Sequence, residues 1–341
     1  MVSVVIPVFN RKEYVEKMIL CIINQTYTDW ELLLVDDGST PDVVLMMKNY
    51  SQKDTRIKVY IRGKHPKGAP SCRNIGLQYS EGEYIMFLDS DDLISNTCIQ
   101  NRVWFMELYN DIDFGIFPAK YFDSRLSDEN SICFFSSVTG IKLDENPLLS
   151  LFRGEYPHLV WTNLYRKHKI IENNIKWKED LLVLQDFDFN FKILSNNFRY
   201  KYFETDADYY VRVNHDPNSI SSNLCDENKL NSTISLLISI CEWIDSDTKY
   251  KKADLSGFLL FYYDRIKAKS LISQKYIKFC KHSFSLSFYL RLKILQLIFS
   301  TFKNEHSYLF VKYMLFPRLL IRRFQIWNIK NNWRKRFKNN P

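Results

Sequence analysis

Three carboxylates directly follow an apolar run in the segment 84–92, which reads YIMFLDSDD. Asp89 and Asp91 are two positions apart, so both side chains can point to the same side of an extended segment. Together they could hold one hard divalent cation through oxygen, which suits Mg²⁺ or Mn²⁺ bridging phosphates. Alternatively, Asp91, Asp92 and Ser95 only turn the chain and cap the next helix, since Asp and Ser favour both roles.

A second acidic pair lies at the end of another apolar run. The unbroken run 84–88 predicts a strand buried on both faces of a parallel sheet, and Asp36 and Asp37 follow a predicted strand at 31–35, whose last four residues read LLLV. The carboxyl ends of parallel strands meet at one edge, where α/β sheets bind ligands. Two acidic strand ends at that edge favour a ligand site over two unrelated turns.

The residue types at this edge suit a nucleotide diphosphate. Asp37 can accept a hydrogen bond from a base imide, Phe9 can stack on the base beside Pro7, and Asp89 and Asp91 can bind ribose and metal. The sequence contains neither GxGxxG nor GxxxxGK[ST], which argues against a dehydrogenase and a P-loop NTPase.

Strand and helix signals alternate over the first 110 residues as β-α-β-α-β-α-β, with strands at 2–8, 31–35, 57–61 and 84–88. This order predicts an α/β fold with a Rossmann-like, mostly parallel sheet and helices on both faces. Asn10 with Glu13 resembles a capping box for the first helix, and Thr40 with Pro41 fits the start of the second.

We predict a catalytic domain at 1–222 and a helical C-terminal region at 223–341. The catalytic domain divides into a nucleotide-binding half at 1–110 and a less regular acceptor-side half at 111–222, with a strand-like run at 114–122. From residue 223 onward, apolar residues recur at helical spacing.

Composition narrows the cellular setting. Aromatic residues make up 16% of the 341 residues, which excludes a disordered chain, and the seven cysteines show no CxxC spacing. An odd cysteine count without paired spacing favours a reducing compartment over a disulfide framework or a zinc site. We find no signal peptide and no membrane span, so the expected location is the cytoplasm.

The net positive charge of the chain comes from its C-terminal part. Residues 263–341 hold 18 Lys or Arg and two acids, so they carry +16 while the first 262 residues carry −8. Phe288, Leu292, Leu295, Phe299 and Phe302 lie near one helical face, and bases are interleaved with apolar residues further on. Residues 286–341 therefore suit the anionic inner face of a membrane. The alternatives are a helical cap on the core and a homodimer contact; nucleic acid is not expected, because it would leave the acidic edge unexplained.

Four segments in order resemble family 2 glycosyltransferases, which have the GT-A type nucleotide-sugar transferase fold. They read VSVVIPVFN at 2–10, LVDDGS at 34–39, CRNIG at 72–76 and FLDSDD at 87–92. The resemblance continues more weakly through VWTNLYR at 160–166 and YVRVNH at 210–215 to about residue 222.

The resemblance implies an inverting transfer in which an Asp, usually preceded by Glu and followed by an aromatic residue, is the catalytic base. The matching place reads Gln185-Asp186-Phe187, so Asp186 is the expected base, and Gln185 departs from the pattern. Asp180 and Asp188 are the competing candidates. The same residues could instead form an ordinary acidic first turn of a helix.

Three basic residues are candidates for contact with the donor. Arg212 and His215 could bind the diphosphate or belong to a surface turn, and Arg73 could contact the donor or hold its loop to the sheet edge. The expected function is transfer of a sugar from a nucleotide diphosphate, UDP above all, to a glycan or lipid-linked acceptor in surface polysaccharide or glycoconjugate synthesis. The alternatives are a nucleotidyltransferase and a non-catalytic nucleotide- or glycan-binding protein.

Overall fold

The computed structural model describes residues 1–63, 65–122, 133–134, 146–153, 160–203, 206–212, 226–247, 249–267, 270–302 and 305–316. The chain forms two compact units. The first contains Met1–Phe135 and His158–His215, and the second contains Ser136–Pro157 and Asp216–Pro341. The division at residue 222 into a catalytic domain and a helical region, and the further division at 110, stay predictions.

The strands are β1 Val2–Val8, β2 Trp30–Asp36, β3 Ile57–Ile61, β4 Tyr84–Phe87, β5 Leu93–Ile94, β6 Phe114–Ile116, β7 Ala119–Phe122, β8 Cys133–Phe134, β9 Asn163–Arg166, β10 Tyr200–Tyr202 and β11 Tyr209–Arg212. The helices of the first unit are α1 Lys12–Ile23, α2 Pro41–Lys53, α3 Ala69–Tyr79, α4 Cys98–Leu108, α6 Lys167–Glu172 and α7 Gln185–Ser195. Those of the second unit are α5 Pro147–Phe152, α8 Glu227–Ser246, α9 Ser256–Ile266, α10 Ser270–Ser283, α11 Leu286–Phe302 and α12 Glu305–Leu315.

The first unit is built on a seven-stranded sheet in the order β10-β6-β9-β4-β1-β2-β3. Strand β9 runs antiparallel to β4 and β6, and the other pairs are parallel. The prediction of a mostly parallel sheet is confirmed. Because β4, β1 and β2 are adjacent and parallel, their carboxyl ends lie side by side at one edge.

Side chains alternate between two faces of this sheet, and helices cover both. Val4 and Ile6 belong to a buried cluster that includes Met18 of α1 and Met47 of α2. On the other face, Val35 packs with residues of α3 in a second cluster. Burial on both faces explains why these strands read as unbroken apolar runs.

A smaller four-stranded sheet has the order β5-β11-β7-β8. Strand β11 pairs antiparallel with β5 and parallel with β7. The run at 114–122, predicted as one strand, is split between β6 in the large sheet and β7 in the small one. Pro118 lies at the break and has no N–H for a ladder hydrogen bond, so a continuous strand is disfavoured there.

The predicted capping box at the first helix is wrong. Arg11 occupies the N-cap position in the left-handed region, with φ 54°, and no side chain caps the helix. The side-chain oxygen of Asn10 instead accepts a hydrogen bond from the N–H of Thr40, 3.0 Å away. A contact between two strand-end loops has replaced local capping. The predicted start of the second helix agrees, because Thr40 is its N-cap and Pro41 its first residue.

The second unit is helical in its described residues. In α11, Leu292 and Leu295 are fully buried and Phe288 is 8% exposed, so the apolar face that was predicted to meet a membrane packs inside this unit. The basic residues from 317 onward lie outside the described residues. Within the described ranges, no helix combines the length and apolar character needed to cross a bilayer.

The contact between α3 and β1 yields a stability prediction. A Cβ atom at Gly76 would lie 2.2 Å from Cγ1 of Val5, whose side chain is fully buried. Gly76→Ala is therefore expected to lower the free energy of unfolding by about 1–3 kcal/mol, measured by urea denaturation. Helix propensity alone predicts the opposite sign.

The matched control is a double-mutant cycle with Val5→Ala. Removing the valine methyl groups makes room for the new Cβ, so the double variant should be more stable than the sum of the single effects predicts. A Gly76→Ala protein as stable as the unchanged chain would contradict the close packing of α3 on β1.

Candidate functional site

The carboxyl ends of β1, β2 and β4 bring the sequence-predicted residues to one edge of the large sheet. Val8 and Asp36 are register partners, and the N–H of Asp37 donates to the carbonyl of Val8 over 2.8 Å. In β4, the N–H of Leu88 donates to the carbonyl of Val5 over 3.0 Å, so Asp89 emerges beside the end of β1. Both acidic strand ends therefore meet where a parallel sheet was expected to place them.

The two acids after β2 have different roles. Asp36 accepts hydrogen bonds from the N–H groups of Gly38 and Ser39, each 3.0 Å long, and so forms the turn. Oδ1 of Asp37 accepts from the N–H of Gly68 at 3.0 Å and pairs with Nε of Arg62 at 2.5 Å. None of these contacts uses Oδ2 of Asp37.

Phe9 has the exposure that a stacking surface needs. Its side chain is 45% exposed, and Nζ of Lys67 lies 3.9 Å from the ring centroid. Pro7 lies within β1 opposite Val35 and is partly buried. An exposed aromatic ring beside a lysine can hold a flat, electron-rich base, whereas Pro7 contributes mainly backbone shape.

Arg73 of α3 connects the end of β4 with the start of α7. Its Nη2 donates to Oδ1 of Asp89 at 2.8 Å, and its Nη1 donates to Oε1 of Gln185 at 3.4 Å. The guanidinium carbon lies 4.5 Å from the ring centroid of Trp177, and the residue is only 5% exposed. Arg73 thus holds segments together at the sheet edge, as the structural alternative predicted, and its contact with the donor stays a prediction.

The loop after β4 is held by groups from two other segments. Oδ2 of Asp91 forms an ion pair with Nη1 of Arg11. Asp92 accepts hydrogen bonds from the hydroxyl of Tyr209 and the N–H of Arg212, both 2.7 Å long. The N–H of Asp89 donates to the same hydroxyl over 3.3 Å. Strand β11 therefore fixes the path of the acidic loop.

Burial and mutual repulsion disfavour the charged forms of two of these acids. Burial, followed by the neighbouring charge of Asp89, raises the pKa of Asp91. For Asp92, burial and then the charges of Asp89 and Asp91 raise the pKa well above its usual range. A loop that concentrates negative charge in this way is suited to a cation.

Arg212 lies at this edge through its backbone and its side chain. Its Nε donates to the carbonyl of Asp91 at 2.7 Å, and its guanidinium carbon lies 4.4 Å from the ring centroid of Tyr14. His215, the other predicted diphosphate contact, lies outside the described residues.

The first turn of α7 brings Asp186 to the same site. The preceding residue, Leu184, has φ 63°, a strained conformation for a leucine that sets the direction in which the helix begins. Burial raises the pKa of Asp186 to about 6; the charge of Arg73 opposes this change, and that of Asp89 adds to it. Asp186 is therefore ionised at neutral pH and close to its protonation point, as a general base requires.

The competing candidates for the base have other surroundings. Oδ2 of Asp188 pairs with Nζ of Lys192 at 2.6 Å and the residue is buried, while Asp180 is exposed in the loop before α7. Glu179 accepts a hydrogen bond from Nδ2 of Asn74 at 2.9 Å. These contacts favour Asp186.

The metal prediction was tested against the donor atoms present. In the part of the chain that the structure describes, no group of three or more His, Cys, Asp or Glu residues could hold a metal ion. Asp89 uses Oδ1 and Asp91 uses Oδ2 in their ion pairs, so neither pair involves the second oxygen of the carboxylate. Two hard oxygen donors fit Mg²⁺ or Mn²⁺ if phosphate oxygens complete the ligand set.

Several residues of this site were not identified from the sequence. Arg11 pairs with Asp91, Arg62 pairs with Asp37, and Tyr209 bridges Asp89 and Asp92. Arg11 directly follows a strand-end motif, which is a weak signal. Arg62 and Tyr209 carry no signal of their own, because their roles depend on strand pairing.

The fold and the acidic sheet edge define a glycosyltransferase of the GT-A type. A family model described as glycosyl transferase family 2 matches residues 3–174, about half of the chain. The chain belongs to this family.

Curated relatives match over parts of the chain. An uncharacterized glycosyltransferase of Haemophilus influenzae is 40% identical over 106 residues, which cover 31% of this chain and 42% of the relative. The minor teichoic acid biosynthesis protein GgaB of Bacillus subtilis is 32% identical over 222 residues, which cover 64% of this chain and 23% of GgaB. The chain thus spans less than half the length of either relative.

A solved structure extends the likeness over most of the chain. The crystal structure of Staphylococcus aureus TarS residues 1–349 with UDP-GlcNAc aligns with a TM-score of 0.65, covering 91% of this chain and 90% of that one. Its sequence identity is 20%, so the likeness establishes a shared fold.

The Tyr209 contacts give a testable prediction about the acidic loop. Tyr209→Phe removes the hydroxyl that bonds to buried Asp92 and to the N–H of Asp89. We expect a loss of about 1–3 kcal/mol in the free energy of unfolding, measured in urea, because a buried polar group loses its partner.

Tyr210→Phe is the matched control, since it makes the same change one residue further along the same strand. It should alter stability little. Equal losses in both variants would show that the Tyr209 hydroxyl has no special role in holding the loop.

Proposed function

We propose that this protein is an inverting glycosyltransferase that transfers a sugar from a UDP-linked donor to a glycan or lipid-linked acceptor. The proposal depends above all on one observation: Arg73 joins Asp89, at the donor edge of the sheet, to the start of the helix that carries Asp186. The acidic sheet edge and a carboxylate with a pKa of about 6 therefore lie close together, which supports a donor and an acceptor meeting in one site.

The donor assignment rests on the chemistry of the sheet edge. Oδ2 of Asp37 can accept from the imide N–H of uracil, and the exposed ring of Phe9 can stack on the base above Pro7. Asp89 can bind the ribose, while Arg73 and Arg212 are positioned to neutralise the diphosphate; His215 is a further candidate. The crystal structure of TarS with UDP-GlcNAc supports a donor of this class on the same fold.

In the proposed reaction, Asp186 removes the proton of the acceptor hydroxyl as its oxygen attacks the anomeric carbon. The new carbon–oxygen bond forms on the face opposite the leaving group, so the configuration inverts. The bond from the anomeric carbon to the diphosphate oxygen breaks, the electron pair leaves with the nucleoside diphosphate, and the proton remains on Asp186.

Asp89 and Asp91 would hold Mn²⁺ or Mg²⁺ together with the diphosphate. A bound cation supplies Lewis-acid stabilisation of the charge that grows on the leaving group. Arg11 pairs with Asp91 in the structure, so cation binding would compete with Arg11 for that carboxylate.

The acceptor assignment is the broadest part of the proposal. The name of GgaB links one relative to teichoic acid biosynthesis, which supports a surface polymer or a lipid-linked precursor. The protein would then act on the cytoplasmic side of a membrane, with residues 286–341 contacting the anionic surface. Screening nucleotide sugars by thermal stabilisation and by Mn²⁺-dependent hydrolysis tests the donor assignment first.

Asp186→Asn tests the catalytic base. The variant keeps the shape of the side chain but cannot take up the proton, so kcat should fall by at least about 100-fold while donor affinity is unchanged. Steady-state kinetics and calorimetry with the donor measure the two quantities.

In the unchanged protein, kcat should fall as the pH is lowered through about 6, because Asp186 becomes protonated.

Asp188→Asn is the matched control and should retain most of the activity.

The thermal stability of the Asp186→Asn variant provides an independent readout. Because the folded-state pKa of Asp186 is raised, the stability contributed by its protonated form is lost as the pH rises through about 6. Asp186→Asn should therefore be at least as heat-stable as the unchanged protein at neutral pH. Continued turnover by Asp186→Asn would assign the base to another residue.

Asp91→Ala tests the metal role. Calorimetry with UDP should show that Mn²⁺ strengthens binding to the unchanged protein. In the variant, the UDP affinity measured with Mn²⁺ should be at least about tenfold lower. Arg11→Gln is the matched control, because it leaves both carboxylates in place and removes the competing cation. Metal-dependent UDP binding that survives in Asp91→Ala would exclude this residue as a ligand.

A further inference from the structure

Helix α11 in the second unit has apolar residues on two opposite faces, and only one face is packed. Leu292 and Leu295 are fully buried. On the other face, Leu290 is 49% exposed, Ile294 44% and Leu297 64%. The spacings of four and three residues place these exposed side chains in one stripe along the helix. A helix that is apolar on both sides normally buries both, so the exposed stripe implies a binding partner.

The exposed stripe borders a groove that α10 and α11 form together. This α10–α11 groove has a volume of about 1230 Å³ and is lined by Leu290, Ile294 and Leu297, among other residues. Four lysines also line it, Lys267, Lys278, Lys281 and Lys293, and among the residues that the structure describes no Asp or Glu does. The groove therefore combines an apolar floor with a positive charge.

Several lysines elsewhere in the second unit form ion pairs with acids, unlike three of the lysines that line the groove. Lys252 pairs with Asp245 at 2.6 Å, and Lys275 and Lys312 pair with Glu227 and Asp264.

Among the described residues, by contrast, no acid forms a salt bridge with Lys278, Lys281 or Lys293. Nζ of Lys293 donates only to the neutral Oε1 of Gln296 at 3.3 Å, and Nζ of Lys281 lies 5.9 Å from the ring centroid of Tyr289. These lysines can pair with an external anion.

Charge decides between the candidate occupants of the groove. Residues 317–341 of this chain contain eight Lys or Arg and no acid, so like charges would oppose their binding there. Two grooves facing each other in a symmetric dimer would bring lysine against lysine. A small soluble anion could satisfy the lysines but would leave the leucines in water. A surface that is anionic outside and apolar beneath satisfies both sets of side chains.

We infer that the α10–α11 groove docks on an anionic lipid bilayer, with Lys278, Lys281 and Lys293 at the headgroups and the exposed stripe of α11 in the acyl boundary. This arrangement is that of an interfacial amphipathic helix. The inference rests on the membrane contact in the proposed function and assigns it to a defined surface. The contacting face is opposite to the Phe288, Leu292 and Leu295 face that the sequence pattern indicated.

Vesicle flotation of the full chain tests the assignment, with phosphatidylcholine vesicles compared with equal parts phosphatidylcholine and phosphatidylglycerol. The unchanged protein should bind only the anionic vesicles, and high salt should release it. Lys278→Glu/Lys281→Glu should weaken binding by at least about 30-fold, since each basic residue near the surface strengthens binding about fivefold. Leu290→Ser/Leu297→Ser should weaken it by roughly tenfold.

Matched variants control for charge and for lost apolar surface. Lys17→Glu/Lys48→Glu makes the same charge change at exposed sites of the first unit, and Phe310→Ser/Met314→Ser removes two side chains of α12 that are each 67% exposed. All variants should keep their thermal midpoint and their hydrolysis of a soluble donor. Both control variants should bind anionic vesicles as the unchanged protein does.

Different outcomes would overturn the membrane contact and its assignment to the α10–α11 groove. No vesicle binding by the unchanged protein would overturn the membrane contact itself. Binding that the groove variants retain, or that the controls lose equally, would overturn the assignment to the groove. A change from dimer to monomer in the groove variants, measured by sedimentation without lipid, would instead identify a second copy as the occupant.

Discussion

The ion pair between buried Arg73 and partly exposed Asp89 is the interaction on which the rest of the site depends. A guanidinium that is 5% exposed must be paired, because an unpaired buried charge costs several kcal/mol. Its partners, Asp89, Gln185 and the ring of Trp177, come from separate parts of the chain. Satisfying one arginine thus holds together the end of β4, the start of α7 and the loop before it. Asp186 then lies in a poorly solvated position near Asp89, which accounts for its raised pKa.

A second buried arginine supports the acidic loop from the other side. Arg102 of α4 is fully buried and binds both oxygens of Asp208, at 2.8 and 2.7 Å, and its Nη1 donates to the carbonyl of Trp161 at 3.0 Å. These bonds order the start of β11, and the ring of Tyr209 stacks on Trp161 with centroids 4.6 Å apart. The groups that hold Asp91 and Asp92 therefore stand on a rigid support. Such support matters because two repelling carboxylates would otherwise move apart.

The two units present charge in different physical settings. In the first unit, acids and arginines pair at a sheet edge, where the more buried contacts are strong and sensitive to geometry. In the second unit, Lys278, Lys281 and Lys293 of the α10–α11 groove are exposed beside apolar side chains, where attraction to an anionic surface depends on salt. The first setting suits chemistry on a small ligand. The second suits reversible attachment to a large surface.

Much of the fold could be read from the sequence because its signals are local. Unbroken apolar runs with acids after them indicate buried parallel strands and their carboxyl ends, and the four motifs in order indicate the family. The site was predicted in part for the same reason: Asp37, Asp89 and Asp91 directly follow strands. The capping box at Asn10 was wrong because a contact with Thr40, 30 residues away, replaced local capping.

The sequence by itself determined the order of the strands along the chain, the acidic strand ends and the family. Only the tertiary structure decided which charges neutralise one another, because ion pairs such as Arg62–Asp37 and Arg11–Asp91 join residues that are distant along the chain. It also decided which face of α11 is buried. Both faces of that helix are apolar, so periodicity could not distinguish them, and the choice depends on the helices packed against it.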